Sequence, residues 1–289
     1  PSANYLRSIV AQGINVFGRK KGRDFCNEAY DSNKGVQLLV KQILKNDTRP
    51  LNISLWGGGN TLVQAIDYLN RTLHKEKFIF CLKKLKIYAI SDQDLSTAYL
   101  RKNYGKYLYY IVSPSYGGWL GNLTYYKATW PGISSDNFKH GSEDGHHKGG
   151  FSGADASLID NTFIKEKIKP LGMLGEAYPY TKYITEGDTP SFLWLVRNGL
   201  NNPDHIEYGS WGGRYEKRIP TRFEFHTKEI YPIFTNSYDL VYGKDQKYHY
   251  SPQASIWRWR NHFQNDFLMR LIWSTTGDYS TCDHIQEYD

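Results

Sequence analysis

The sequence predicts an α/β fold, a mainly parallel sheet flanked by helices. Three observations carry this. Between Leu51 and Val112, short apolar runs alternate with polar loops and helical stretches, so the order strand, loop, helix repeats. Each apolar run ends in polar or glycine-rich residues, at Gly57, Ser91 and Ser113. The chain then closes on a long stretch whose apolar residues recur at helical spacing.

In chain order, Ser2 is placed to cap a first helix with Leu6, Ile9 and Val10 on one face. Residues 19 to 33 are polar and read as loop. Asn33 caps a helix whose Val36, Leu39, Val40, Ile43 and Leu44 share a face. Leu51 to Trp56, between Pro50 and Gly57, reads as a parallel strand, with Asn52 inside it expected to be buried. The turn Gly57-Gly58-Gly59 leads to a helix capped by Asn60 and carrying Leu62, Ala65, Ile66 and Leu69. Lys86 to Ile90 is a second strand, followed by a helix from about Leu95 to Asn103, and Tyr107 to Val112 is a third strand.

Beyond Ser115 the rhythm changes. Residues 116 to 155 carry Gly, Trp and His with little periodicity, Ala156 to Lys169 reads as helix, and Gly172 to Tyr250 is loop-dominated. Ser255 to Trp273 is the closing helix, with Ile256, Trp259, Phe263, Phe267 and Leu271 on one stripe. No repeat or linker divides the chain, so residues 1 to 289 are read as one domain.

Composition narrows the function classes. The chain of 289 residues is 40% apolar and 22% charged, as a chain with a sizeable core should be. Its 24 Tyr and 8 Trp are more unusual, and suit either stacking on sugars or bases or plain packing. The net charge of +7 is scattered, at residues 19 to 21, 83 to 86 and 165 to 169, without the block expected of a nucleic-acid arm. Nucleic acid is therefore not expected as a partner. Cys26, Cys81 and Cys282 have no paired spacing, which argues against a disulfide scaffold and a Cys-based zinc site. Sequons at Asn46, Asn52, Asn70 and Asn122 are compatible with a secreted or extracytoplasmic protein. No apolar run is long enough to span a bilayer.

Ligands of an open parallel sheet gather at the carboxyl ends of its strands. Gly57 to Thr61 offers close backbone approach and unpaired N–H groups, or simply a tight turn into a helix. Asp92 and Asp94, two apart, can bind hydroxyls or a hard cation, while an acid just before a helix also serves as a cap. Ser113-Pro114-Ser115 is a weaker third end. The run Glu186 to Phe192 and the run Gly209 to Glu216 place Glu186, Asp188, Trp211 and Arg214 in segments too rich in Gly and Pro for regular structure. Such runs are substrate-binding loops or solvated turns. His140, His146 and His147 lie among acids in a loop without fixed ligand spacing. Asp266, flanked by Phe263 and Phe267, needs a partner, either a cation or Arg270 one turn on.

Taken together, Leu55 to Leu62, Ile90 to Asp94, Tyr110 to Pro114, Ala128-Thr129-Trp130, Glu186 to Phe192, Trp211 to Glu216 and Phe263 to Phe267 resemble one family, in family order. It is the nucleoside-hydrolase-like domain of Sde182-type, cellulose-binding-labelled proteins, in the inosine–uridine nucleoside hydrolase superfamily. The resemblance implies a Rossmann-like fold and a glycosidase in which calcium activates water to attack an N-ribosyl or other glycosyl bond. It implies Asp266 as a calcium ligand, Asn60, Asp92 and Asp94 lining the pocket, and Glu186, Asp188, Trp211 and Arg214 binding a nucleoside or carbohydrate. One departure stands out. Nothing before Asn33 resembles the Asp-rich first βα unit of that family, and residues 1 to 13 resemble the segment after it. That unit, and the immunoglobulin-like C-terminal domain, are thus expected to be missing. The rival expectation is a catalytically inactive carbohydrate-binding module with Trp119, Trp130 and Trp211 as stacking platforms. A structural subunit of a homo-oligomer or larger assembly is the third.

Overall fold

The structure, a computed structural model, describes residues 2–15, 32–92, 94–112, 153–181, 183–184, 187–221 and 228–277. The chain groups into two compact units, Pro1–Ala128 with Tyr215–Asn236, and Thr129–Arg214 with Ser237–Asp289.

The first unit opens on α1 (Ala3–Ser8) and α2 (Lys34–Leu44), followed by β1 (Leu51–Leu55), α3 (Gly59–Thr72) and α4 (Lys75–Lys83). It continues through β2 (Leu85–Ala89), α5 (Leu95–Tyr104) and β3 (Tyr109–Val112), and is completed by β4 (Tyr215–Arg218) and β5 (Ile233–Asn236). The sheet order is β1-β2-β3-β5-β4. All neighbours run parallel except β4, which pairs antiparallel with β5. This is the α/β architecture the alternation predicts, with a mainly parallel sheet.

Local chemistry explains the element ends. Ser2 Oγ accepts from the Tyr5 N–H at 3.2 Å, and Asn33 Oδ1 accepts from the Val36 N–H at 3.0 Å, as their cap positions require. The third start differs from expectation: α3 begins at Gly59, so its cap is Gly58 rather than Asn60. Gly58 adopts φ +63°, a conformation that a side chain at that position would strain.

The core is built by Val36, Val40 and Ile43 of α2, Leu62, Ile66 and Leu69 of α3, and the inner strands β2 and β3. Burying each such side chain contributes about 1.5–3 kcal/mol. Asp67 on α3 sits inside this packing and accepts hydrogen bonds from the hydroxyls of Tyr104, at 2.8 Å, and Tyr99, at 3.1 Å. A buried carboxylate is tolerated there because donors on α5 satisfy it. α1 forms as expected, with Leu6, Ile9 and Val10 exposed. Asn52, expected to be buried, is exposed, because among the described residues β1 is an edge strand whose alternate residues face outward.

The second unit is made of short pieces. A 3-10 turn (Ala156–Leu158), α6 (Asn161–Phe163) and a π turn (Ile164–Ile168) replace the single helix expected over Ala156 to Lys169. α7 (Gly172–Glu176), α8 (Pro190–Leu193) and a 3-10 turn (Ile206–Tyr208) follow. The hairpin β6 (Asp239–Tyr242) and β7 (Tyr248–Ser251) leads into α9 (Ala254–Trp257) and α10 (Arg260–Thr276). The closing helix is therefore broken at Trp259, where the backbone leaves the helical geometry that Arg258 still keeps. One core joins Ile159, Phe163, Ile164, Ile168, Ile184 and Leu271, and a smaller one joins Ala154, Val241, Ala254 and Trp257.

Among the described residues no helix is long and apolar enough to cross a membrane.

Candidate functional site

At the strand ends of the first unit, Asn60 and Asp92 are both buried. Asp92 is held from two sides: Arg101 Nη1 and Nη2 donate to its two oxygens at 2.6 Å each, and the Thr97 hydroxyl donates to Oδ1 at 2.7 Å. Arg101 also donates to Glu229 Oε1 from Nε at 3.0 Å and from Nη2 at 2.8 Å, and its guanidinium lies over the Tyr110 ring. Burial alone would lower the Arg101 pKa. The Asp92 carboxylate, by charge and hydrogen bonding, together with Glu229, holds it well above its ordinary value. Asp94 accepts from the Ser96 N–H at 2.8 Å and caps α5. These acids thus act as framework, the cap being one of the two roles their position before a helix allowed.

In the second unit, Glu186 lies outside the described residues, as do Trp119, Trp130, His140, His146 and His147. The Asp188 carbonyl accepts from the Ser191 N–H and hydroxyl, shaping the entry to α8. Burial raises the pKa of its carboxyl.

Trp211 and Arg214 do come together. Both line a cavity of about 180 Å³ with Tyr208, Asp239, Arg258 and Trp259. The wall is a tight turn in which Ser210 and Gly213 exchange backbone hydrogen bonds at 3.0 Å. Gly212 is obligatory in it, because an added Cβ would lie 2.4 Å from the Pro190 carbonyl oxygen. The Trp211 indole is buried, and its N–H has no hydrogen-bond partner among the described residues. Asp239 faces two guanidinium groups, Arg214 Nε at 3.5 Å and Arg258 Nη1 at 3.6 Å.

A second feature of this unit was not anticipated. On one face of the β6–β7 hairpin, Tyr238, Tyr242, Tyr248 and Tyr250 are 52–69% exposed, with Leu240 among them. Tyr238 and Tyr250 lie 5.2 Å apart by ring centroid, tilted by 33°, and Tyr242 and Tyr248 lie 5.1 Å apart, edge to face. The opposite face turns Val241 into the smaller core. The signal was present in the sequence as alternation, Tyr238-x-Leu240-x-Tyr242 and Tyr248-x-Tyr250, around a five-residue turn.

The calcium ion that the resemblance implies can be tested on the donors present. Asp266 is clamped by Arg270, whose Nε and Nη2 donate to its two oxygens at 2.6 and 3.3 Å. Both oxygens of Asp92 are engaged by Arg101. Among the described residues no three His, Cys, Asp or Glu side chains come together as a metal-holding group. The described donor set does not fit the ion.

The family model described as the nucleoside hydrolase-like domain of cellulose-binding Sde182 matches residues 1–215. The chain is also similar to a solved nucleoside hydrolase-related hypothetical protein from Saccharophagus degradans, described as associated with carbohydrate metabolism. The two are 26% identical, with a TM-score of 0.64, and the match covers 97% of this chain and 56% of that one. The present chain therefore spans little more than half the length of that protein. No curated protein matches it. With a parallel β1-β2-β3 sheet flanked by helices and a family match across most of its length, the chain belongs to the Sde182-type nucleoside-hydrolase-like family.

Proposed function

We propose that this domain is a carbohydrate-binding module that holds a β-glucan chain against the tyrosine face of its β6–β7 hairpin. The observation that carries the reading is the set of four exposed tyrosines on one strand face, with rings apolar in body and polar at the tip. Ring C–H faces of a sugar lie against such aromatic planes, and the phenol hydroxyls reach the sugar hydroxyls at their rims. A patch this rich in exposed aromatics is a binding surface more often than a solvated one. The cellulose-binding description of the family and the carbohydrate association of the structural relative support the same class of ligand.

The hydrolytic reading, calcium-activated water attacking a ribosyl or other glycosyl bond, draws its support from the family fold. The ion pairs of Asp266 and Asp92 favour binding without hydrolysis.

The test is retention on insoluble β-glucan. Replacing Tyr242 and Tyr250 with Ala together should lower retention by roughly tenfold, as two aromatic contacts of about 0.5–1.5 kcal/mol each would. Undiminished retention of a folded double variant removes the proposal.

A further inference from the structure

We propose that the cavity around Trp211 is a subsite for a sugar unit carrying an anionic group, with Arg214 and Arg258 as the residues that take it. This rests on the carbohydrate-binding reading, but on different residues of the second unit.

The Ser210 hydroxyl donates to the Gly213 carbonyl at 3.2 Å and accepts from the Gly212 N–H at 3.0 Å. The Ser255 hydroxyl donates to the Pro252 carbonyl at 2.6 Å and accepts from the Arg214 N–H at 3.3 Å. Both neutral hydroxyls are committed to backbone. The charged groups that remain to face a ligand are two guanidinium groups and one carboxylate, beside the Tyr208 phenol and Trp259, over whose ring the Arg258 guanidinium lies.

That set is unbalanced. Each guanidinium carries five N–H donors, whereas a carboxylate offers about four acceptor sites. Formal charge sums to one net positive. The ion pairs are also open: Asp239 stands 3.5 and 3.6 Å from its two arginines, beyond the 2.7–2.9 Å of a closed charge-assisted bond. Arg101 and Asp92, at 2.6 Å, show how tightly the same protein draws such a pair when it is structural. Arg214 and Arg258 keep side-chain exposures of 46% and 38%, so their forks are reachable, while Asp239 at 13% is the more enclosed member. A neutral sugar would leave the donor excess unmatched. A carboxylate on the ring, as in a uronic acid, supplies two acceptor oxygens in the plane a guanidinium fork prefers, and neutralises the excess charge.

Size agrees. A cavity of about 180 Å³ is below the roughly 300 Å³ at which drug-sized pockets begin, and suits a single ring rather than an oligomer. The overall charge of +7 would draw an acidic polymer toward the molecule at low salt.

The experiment is calorimetric titration of the full chain with three small ligands: methyl glucoside, methyl glucuronide and glucose 1-phosphate. Glucuronide should bind at least about tenfold tighter than the neutral glucoside, a difference of about 1.4 kcal/mol, and the preference should shrink with added salt. Arg258→Gln and Arg214→Gln should each abolish the preference, and Arg258→Lys should restore only part of it, since a point charge lacks the fork. Thermal melting of each variant establishes that it is folded. Tighter binding of the sugar phosphate, with the same arginine dependence, supports the anionic subsite and reassigns the source of the anion. Equal affinities for glucoside and glucuronide, with retention on insoluble glucan intact, overturn this inference alone. Loss of both soluble binding and glucan retention in the unmodified protein overturns the reading beneath it.

Discussion

Arg101 and Asp92 form a closed bidentate pair, two nitrogens meeting two oxygens at 2.6 Å, with neither side chain more than 4% exposed. Arg101 reaches from α5 to the end of β2 and, through Glu229, to the chain segment leading into β5. The pair therefore ties together three stretches of the first unit. Replacing Asp92 with Asn leaves Arg101 paired with Glu229 alone and weakens the two charge-assisted hydrogen bonds that Asp92 accepts. Weakening hydrogen bonds to a buried charge that keeps its second carboxylate costs about 1.5–3 kcal/mol. Chemical denaturation of Asp92→Asn should show a loss of that size. A loss below about 1 kcal/mol would mean that the acid is not framework and returns it to the ligand-binding residues.

Gly212, in the turn beside the Trp211 cavity, and Gly199, outside it, make a paired prediction. At Gly212 a Cβ would stand 2.4 Å from the Pro190 carbonyl oxygen and 3.0 Å from the Trp194 nitrogen, both backbone atoms that cannot step aside cheaply. At Gly199, φ +84°, a Cβ meets nothing within 4 Å. Gly199→Ala should cost about 1 kcal/mol, the ordinary penalty of a left-handed residue. Gly212→Ala should cost more, about 2–3 kcal/mol, by overpacking. Equal melting temperatures for the two variants would show that the turn yields.

The pattern of what could be read from the sequence follows from range of interaction. The parallel sheet, the Asn33 cap and the core face of α2 were legible because periodicity and capping are local. The hairpin was missed although its alternation is local, because tyrosine every second residue looks polar and apolar at once, and Gly243 with Asp245 made the segment read as loop. The cavity was legible only in part. Trp211 and Arg214 sit in one glycine-rich run, whereas Asp239 and Arg258 arrive from the hairpin and from the break before α10, and no spacing announces them. For Asp92 and Asp94 the sequence could offer two roles, and which one holds depends on Arg101 and Ser96, the first of them placed only by tertiary packing.

Asp188 gives a pH prediction. Burial raises its carboxyl pKa above the ordinary 3.8. A raised carboxyl binds its proton more tightly in the folded chain than in the unfolded one, so its contribution to stability is greatest at low pH. That contribution declines as pH rises from the unfolded value through the folded one. Asp188→Asn imitates the protonated form. It should melt higher than the parent at neutral pH, and the gap should close as pH approaches 4. A variant that melts lower at neutral pH would indicate that the interactions of the ionised carboxylate outweigh the cost of its burial.

Asp266 supplies the sharpest test of the calcium question, because its own chemistry predicts a modest role. Its partner Arg270 is one helical turn away and 46% exposed, so solvent screens the pair and its contribution should be no more than about 1 kcal/mol. Asp266→Asn should lower stability by that amount and not more. A ligand that binds only the folded chain raises its stability by RT ln(1 + [L]/Kd), about 2.7 kcal/mol at a hundredfold excess over Kd. Millimolar calcium is expected to leave the melting temperature of the parent and of Asp266→Asn unchanged to the same degree. A calcium-dependent rise in the parent that vanishes in Asp266→Asn would mean that the Arg270 clamp opens to admit the ion, and would restore the metal-dependent hydrolase as the leading account of this domain.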